Sequence, residues 1–213
     1  MEMQPVETTL YSLSEELPPL QPDRRDSNRL MTLYRVGSIL VGDRRELCLI
    51  KNISAGGMMI RAYSAIAKGA TVSIELKSGQ PIRGTIGWVK GDQAGIKFEE
   101  TIDVIDILTA TMEGPRPRMP RIEVDSYATL RDGANTLRVR TCDVSQGGVK
   151  VETQTILPKG SDVIITLPGV EPQPGVVRWT DGPYTGITFN RLLPLGDLVT
   201  WLQVQRETQR AGG

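Results

Sequence analysis

"NISAGGMMI" (52–60) returns as "DVSQGGVKV" (143–151), and "GWVKGDQAGIKF" (87–98) returns as "RWTDGPYTGITF" (178–189), both at one constant offset of 91. The same offset pairs Ser54 with Ser145, Gly57 with Gly148, Trp88 with Trp179, Gly95 with Gly186 and Phe98 with Phe189. It also pairs Lys68-Gly69 with Lys159-Gly160, Gly84 with Gly175, and Val72, Ile74 and Leu76 with Val163, Ile165 and Leu167. A register that runs without a gap from Asn52 to Phe98 marks a tandem duplication.

Each copy has strand character. "TVSIELKSG" and "DVIITLPGV" alternate apolar and polar residues at period two and then turn. "PIRGTIGWVKGDQAGIKF" reads as a hairpin about "KGDQ", "VVRWTDGPYTGITF" as one about "DGPY", and "YRVGSILVGDRRELCLIKNIS" as one about "GDRR". Short strands joined by turns predict a mainly β chain of two tandem small antiparallel β-barrels. A helix candidate follows each closing strand, "ETIDVIDILTATM" and "PLGDLVTWLQVQRET", with apolar residues at spacings of three and four. In the second, Leu193, Val199 and Leu202 are placed to cap a barrel mouth. The proline-broken "EGPRPRMPR" is the natural linker. The expected organisation is a leader over 1–22, a first domain over 23–112, a linker over 113–121, a second domain over 122–207 and a tail over 208–213.

Composition fits that architecture and narrows the chemistry. Among 213 residues, 22 Gly and 14 Pro with only 5% aromatics suit a turn-rich β protein. Twenty-five bases balance 25 acids, so a polyanion such as DNA is not the expected partner, and anion affinity has to come from a local cluster. Histidine is absent, which removes the usual general base and the commonest metal ligand. Cys48 and Cys142 are far apart and form no CxxC, so neither a zinc site nor a disulfide framework is expected. With no nucleophile beside a base, the chain carries no catalytic constellation, and no enzyme activity is expected. The acidic N-terminus is no signal peptide, and no apolar run is long enough to span a membrane. A cytoplasmic protein is expected.

"NISAGG" falls where one strand ends and the next begins. Asn52 offers an amide edge and Ser54 a hydroxyl, while Gly56-Gly57 lets backbone approach a ring or a phosphate. Alone, N-x-S-x-x-G is most often a plain turn. Upstream, "RRDSNR" (24–29) puts three arginines into six residues, Arg25 and Arg29 at RxxxR spacing. The two-part arrangement, RxxxR and then [D/N]xSxxG at the start of a small barrel, resembles the PilZ domain, whose members bind cyclic di-GMP. The resemblance covers nearly the whole chain, once in each half.

That resemblance implies a non-enzymatic receptor for cyclic di-GMP, with no cofactor. Arginine suits such a ligand because its planar fork pairs with phosphate or with the O6/N7 edge of guanine and stacks on a base. Arg25 and Arg29 are expected on guanine and phosphate, Asn52 and Ser54 on a guanine edge, and Gly56 and Gly57 in the shaping turn. In this family an arginine directly before RxxxR goes with two stacked, intercalated ligands. Arg24 stands there, so a ligand dimer is expected. Binding would order the leader or change the angle between the domains, and an unidentified downstream protein would read the change. The alternative is a PilZ-type adaptor that binds proteins and no nucleotide.

The second copy departs from the pattern. "DVSQGG" matches fully through Asp143, Ser145, Gly147 and Gly148, but Pro120 stands opposite Arg29, with Arg121 one residue late. Arg116, Arg118 and Arg121 make at most a weaker second site, and a docking role is the favoured reading of this copy. Trp88 and Trp179 are expected in the core, and Met58 and Met59 as packing residues. "GDRR" (42–45) is expected as a solvated hairpin tip, and Asp103 and Asp106 on a solvent-facing helix side. Arg138 and Arg140 share a face, either a charged exterior or the border of the second site.

Overall fold

The computed structural model of the chain describes residues 31–76, 81–109 and 119–211. Six strands build the first unit: β1 (Met31–Val41), β2 (Arg44–Ser54), β3 (Gly57–Ala62), β4 (Thr71–Glu75), β5 (Ile82–Lys90) and β6 (Gln93–Phe98), followed by α1 (Val104–Thr109). Six more build the second: β7 (Ile122–Asp132), β8 (Asn135–Ser145), β9 (Gly148–Glu152), β10 (Asp162–Thr166), β11 (Gln173–Asp181) and β12 (Tyr184–Phe189), followed by α2 (Leu195–Ala211). Each set closes into an antiparallel barrel, the first in the order β1-β2-β3-β6-β5-β4 and the second in the corresponding order. Closure leaves no free sheet edge.

The duplication survives in fine detail. Pairing slips between Thr32 and Arg35 on β1, and between the counterparts Glu123 and Ser126 on β7. It slips again between Ile50 and Asn52 on β2 and between Thr141 and Asp143 on β8. A third slip lies between Ile86 and Trp88 on β5 and between Val177 and Trp179 on β11. Sequence marks the second pair: Lys51-Asn52 and Cys142-Asp143 each put two residues between inward side chains, where strict alternation allows one. A β-bulge absorbs the surplus and bends the strand.

Inward residues fill both barrels. Ile39, Ile50, Ile60, Ile74 and Ile86 are buried in the first, and Leu130, Val151, Ile165, Leu167 and Val177 in the second. On α1, Asp103 acts as a cap: its Oδ1 accepts the backbone N–H groups of Ile105 at 2.8 Å and Asp106 at 3.0 Å. Helix α2 buries Leu198, Val199, Trp201 and Leu202 along one stripe, with Leu193 just ahead of it, against the second barrel. The apolar cluster there also takes in Leu47 from β2, with Val36 and Tyr63 packed on it, so α2 is seated between the two barrels.

Two expectations are corrected. Trp88 and Trp179 are not core residues, being 43% and 39% exposed. Both stand beyond the third bulge, where the end of the strand has left the barrel interior, and each ring lies flat across the facing glycine. A Cβ on Gly95 would come within 2.0 Å of Trp88, and one on Gly186 within 2.1 Å of Trp179. Nor is "GDRR" purely a solvated tip. Gly42 makes the turn at φ 58°, but Arg45 reaches back to the Glu75 carboxylate on β4 and to Ser38 Oγ at 3.2 Å.

Candidate functional site

The turn from β2 to β3 is braced by its own motif residues. Ser54 is only 8% exposed, and its hydroxyl donates to the Gly57 carbonyl at 3.1 Å. In the second barrel Ser145 donates to the Gly148 carbonyl at 3.3 Å. Neighbouring backbone holds the turn from outside: Phe98 N–H donates to Gly56 O and Ile102 N–H to Ala55 O, both at 3.0 Å. The second turn receives Phe189 N–H at Gly147 O (3.0 Å) and Leu193 N–H at Gln146 O (2.8 Å). Each serine therefore spends its proton inside the turn, and its lone pairs remain as its only further hydrogen-bonding capacity.

Gly57 and Gly148 are fixed by close packing. A Cβ on Gly57 would meet Ile96 O at 2.4 Å, and one on Gly148 would meet Ile187 O at 2.3 Å. Gly56 has nothing within 4 Å of such an atom, so it presents open backbone.

Asn52 pairs laterally with Thr32 on β1 and Met59 on β3, Met59 pairs with Gly95 on β6, and Gly95 with Trp88 on β5. Cross-strand partners share a face, so Thr32, Asn52, Met59 and Trp88 form one outer row beside the turn. The packing role expected of the methionines divides here: Met58 is buried, while Met59 is half-buried in this row. Because β1 begins at Met31 and Thr32 pairs with Asn52, the chain that carries Arg29 is covalently tied to this end of the sheet. Arg24, Arg25 and Arg29 themselves lie outside the described residues.

The corresponding face of the second barrel holds a groove of about 510 Å³. Glu123, Asp125, Asp143 and Glu152 contribute carboxylates to it, and Arg140 and Lys150 contribute bases. All of these charges but Glu123 and Lys150 are engaged in ion pairs. Arg121 Nη1 is 2.5 Å from Asp143 Oδ1, and Arg140 bonds Asp125 at 2.7 and 3.0 Å and Glu152 at 3.3 Å. The Arg140 hydrogen bond holds the Asp125 carboxyl below its usual pKa, and the same contact drives Arg140 upward. Lys150 lies 4.1 Å from the centre of the Tyr184 ring. The open question about Arg138 and Arg140 thus resolves by residue: Arg140 borders the second motif, while Arg138 lies over Tyr127 at 4.1 Å. Arg116 and Arg118 lie outside the described residues.

Lys150 and Tyr184 escape motif reasoning because their place depends on the bulges. The broken alternation at Cys142-Asp143, repeated at Lys51-Asn52, is the trace of this in the sequence.

Two barrels of one design, each with a braced [D/N]xSxxG turn beside an outer polar row, agree with family comparison. The profile of the PilZ domain matches residues 23–111 and again 115–202, and the chain belongs to that family. No match among curated proteins reaches significance. Similar solved structures include the Borreliella burgdorferi PlzA protein in complex with c-di-GMP, at 11% identity and TM-score 0.37, covering 79% of this chain and 86% of that one. Escherichia coli YcgR in complex with c-di-GMP matches at 14% identity and TM-score 0.35, covering 84% and 87%. MrkH of K. pneumonia in its apo state matches at 12% and 0.34, covering 87% and 100%. At these identities and scores none of them bears on the arrangement of the site. Among the described residues no helix is long and apolar enough to cross a membrane, and no group of acidic or sulfur side chains is arranged to hold a metal ion.

Proposed function

We propose that this chain is a non-enzymatic receptor for cyclic di-GMP whose first barrel carries the working site. The carrying observation is the pairing of Thr32 with Asn52, which ties the arginine-bearing leader to the motif turn. Arg25 and Arg29 supply planar cationic forks to phosphate and guanine. Asn52 offers its amide to a guanine edge from the outer row. Ser54 acts mainly by fixing the turn, and Gly56 leaves room for the ligand to approach backbone. Arg24 sets the stoichiometry by admitting a second, stacked ligand. Binding orders the leader or shifts the barrels, and a downstream protein reads the change.

The second barrel is a docking partner with at most residual affinity. Asp143, the counterpart of Asn52, is already bridged by Arg121, so an incoming guanine edge has to displace that pair. This supports the adaptor reading for the second barrel alone.

Isothermal titration of the full chain with cyclic di-GMP tests the assignment. The wild type is expected to bind two molecules per chain at micromolar or better affinity. Arg25→Ala and Arg29→Ala should abolish binding, Arg24→Ala should halve the stoichiometry, and Arg116→Ala should change neither quantity. A wild type that gives no heat of binding overturns the proposal, and linear pGpG accumulating on incubation would overturn the non-enzymatic part of it.

A further inference from the structure

Two bulges meet at one residue. On β1, Leu33 and Tyr34 stand opposite the single residue Lys51 of β2; on the other side, Lys51 has no counterpart on β3, where Met59 and Ile60 pair with Asn52 and Ile50. A residue inserted in this way is re-aimed by the local bend and is left without a ladder partner. The duplicate reveals where it goes. Cys142 occupies the same node between Thr141 and Asp143, and it lines the groove together with Asp143, Val124 and Asp125.

Transferred through the register to the first barrel, that groove changes sign. In the second barrel two bases, Arg140 and Lys150, face the carboxylates of Glu123, Asp125, Asp143 and Glu152. Their counterparts in the first are Leu49, Met59, Thr32, Tyr34, Asn52 and Arg61, while Cys142 becomes Lys51. The first wall therefore holds two bases and no acid. Arg61 is already engaged, with its Nε 2.5 Å from Asp92 Oδ2. None of the ion pairs among the described residues uses Lys51, which is half-buried at the node.

We propose that Lys51 is a phosphate-binding residue of the first barrel and, with the missing carboxylates, determines which of the two barrels accepts the anion. The assignment rests on the cyclic di-GMP reading above. An ammonium is a compact point charge with three donors and no acceptor, suited to a phosphate oxygen and without the rigid planar fork that makes arginine the better match for a guanine edge. Lys51 thus reaches the phosphates of the ligand from the barrel wall.

Titration of the full chain with cyclic di-GMP at low and raised salt, for wild type, Lys51→Gln, Lys51→Glu and Lys51→Arg, tests this. Lys51→Gln keeps a polar side chain of similar reach at the half-buried node, and its melting temperature should match the wild type. Its affinity should fall about tenfold, with a shallower salt dependence, while Lys51→Glu falls further and Lys51→Arg stays within a few-fold of wild type. Lys51→Gln binding as tightly as a binding-competent wild type overturns the role of Lys51 and leaves the receptor reading intact. A wild type that does not bind overturns both.

Discussion

At the scale of single residues, the motif "NISAGG" contains two glycines that do different work. Gly57 sits where β3 pairs with β6, opposite Lys97, with the Ile96 carbonyl oxygen 2.4 Å from the position of a Cβ. That obstacle is backbone and cannot rotate away, so the strands must separate to admit a methyl group. Gly57→Ala should therefore cost about 2–3 kcal/mol, read as a fall in melting temperature of roughly 5–10 °C. Gly56 has open space around the same position and no left-handed φ, so Gly56→Ala should leave the melting temperature within about 2 °C. Cyclic di-GMP titration of that stable variant then isolates any need for bare backbone at the ligand. The two glycines look alike in sequence, because the difference is imposed by a strand nearly forty residues away. The role of Ser54 was hidden for a related reason: a hydroxyl reads equally well as a ligand contact or as the brace of its own turn, and only the 3.1 Å bond to Gly57 O distinguishes them.

At the scale of elements, α2 joins the barrels through one deeply buried carboxylate. Glu46 on β2 is 4% exposed. Arg206 Nη1 approaches its Oε1 at 2.9 Å as an ion pair without the alignment of a hydrogen bond, and Ser64 bonds its Oε2. Arg206 also donates to the Arg45 carbonyl at 3.0 Å, and Gln203 donates to the Tyr63 carbonyl at 2.7 Å. Removing Arg206 leaves the buried carboxylate only the longer Arg44 contact at 3.8 Å and the Ser64 hydroxyl, so Arg206→Ala should cost about 1–2 kcal/mol, discounted from a fully buried pair because Arg206 is itself partly exposed. Replacing both partners, Glu46→Leu with Arg206→Met, should recover most of the loss. Urea unfolding measures both, and an Arg206→Ala midpoint equal to wild type would refute the bridge. Period-two alternation made the strands legible, and the spacing of three and four made the buried stripe of α2 legible at Val199 and Leu202, with Leu193 just ahead of the helix. What alternation cannot encode is which barrel an outward residue meets. Leu47 belongs to β2 by sequence and to the apolar cluster of the second barrel by contact. Trp88 and Trp179 failed as core residues because a bulge ahead of each shifts the alternation by one.

At the scale of the whole molecule, duplication supplied two equal frames and substitution made them unequal. The offset that revealed the repeat also fixes every bulge and every strand boundary except the end of β3, which runs one residue longer than β9, and that is why so much of the architecture was readable; the charge of the groove on the second barrel was not, because it depends on side chains that the bulges gather from four strands. The shared apolar cluster and the Glu46–Arg206 bridge couple the two barrels, so the wild type should melt in a single transition. On the receptor reading proposed above, cyclic di-GMP taken up by the folded first barrel should then raise the whole transition, by about 2.7 kcal/mol of added stability for each bound molecule at a hundredfold excess over the dissociation constant. Arg206→Ala weakens the coupling without touching either motif, so its melt should broaden or split into two steps. Only the step of the first barrel should then move with ligand. Calorimetric scans with and without ligand, on wild type and Arg206→Ala, decide the matter: a wild type that already melts in two steps, one of them indifferent to ligand, would mean that the barrels are joined by chain alone and that α2 transmits nothing between them.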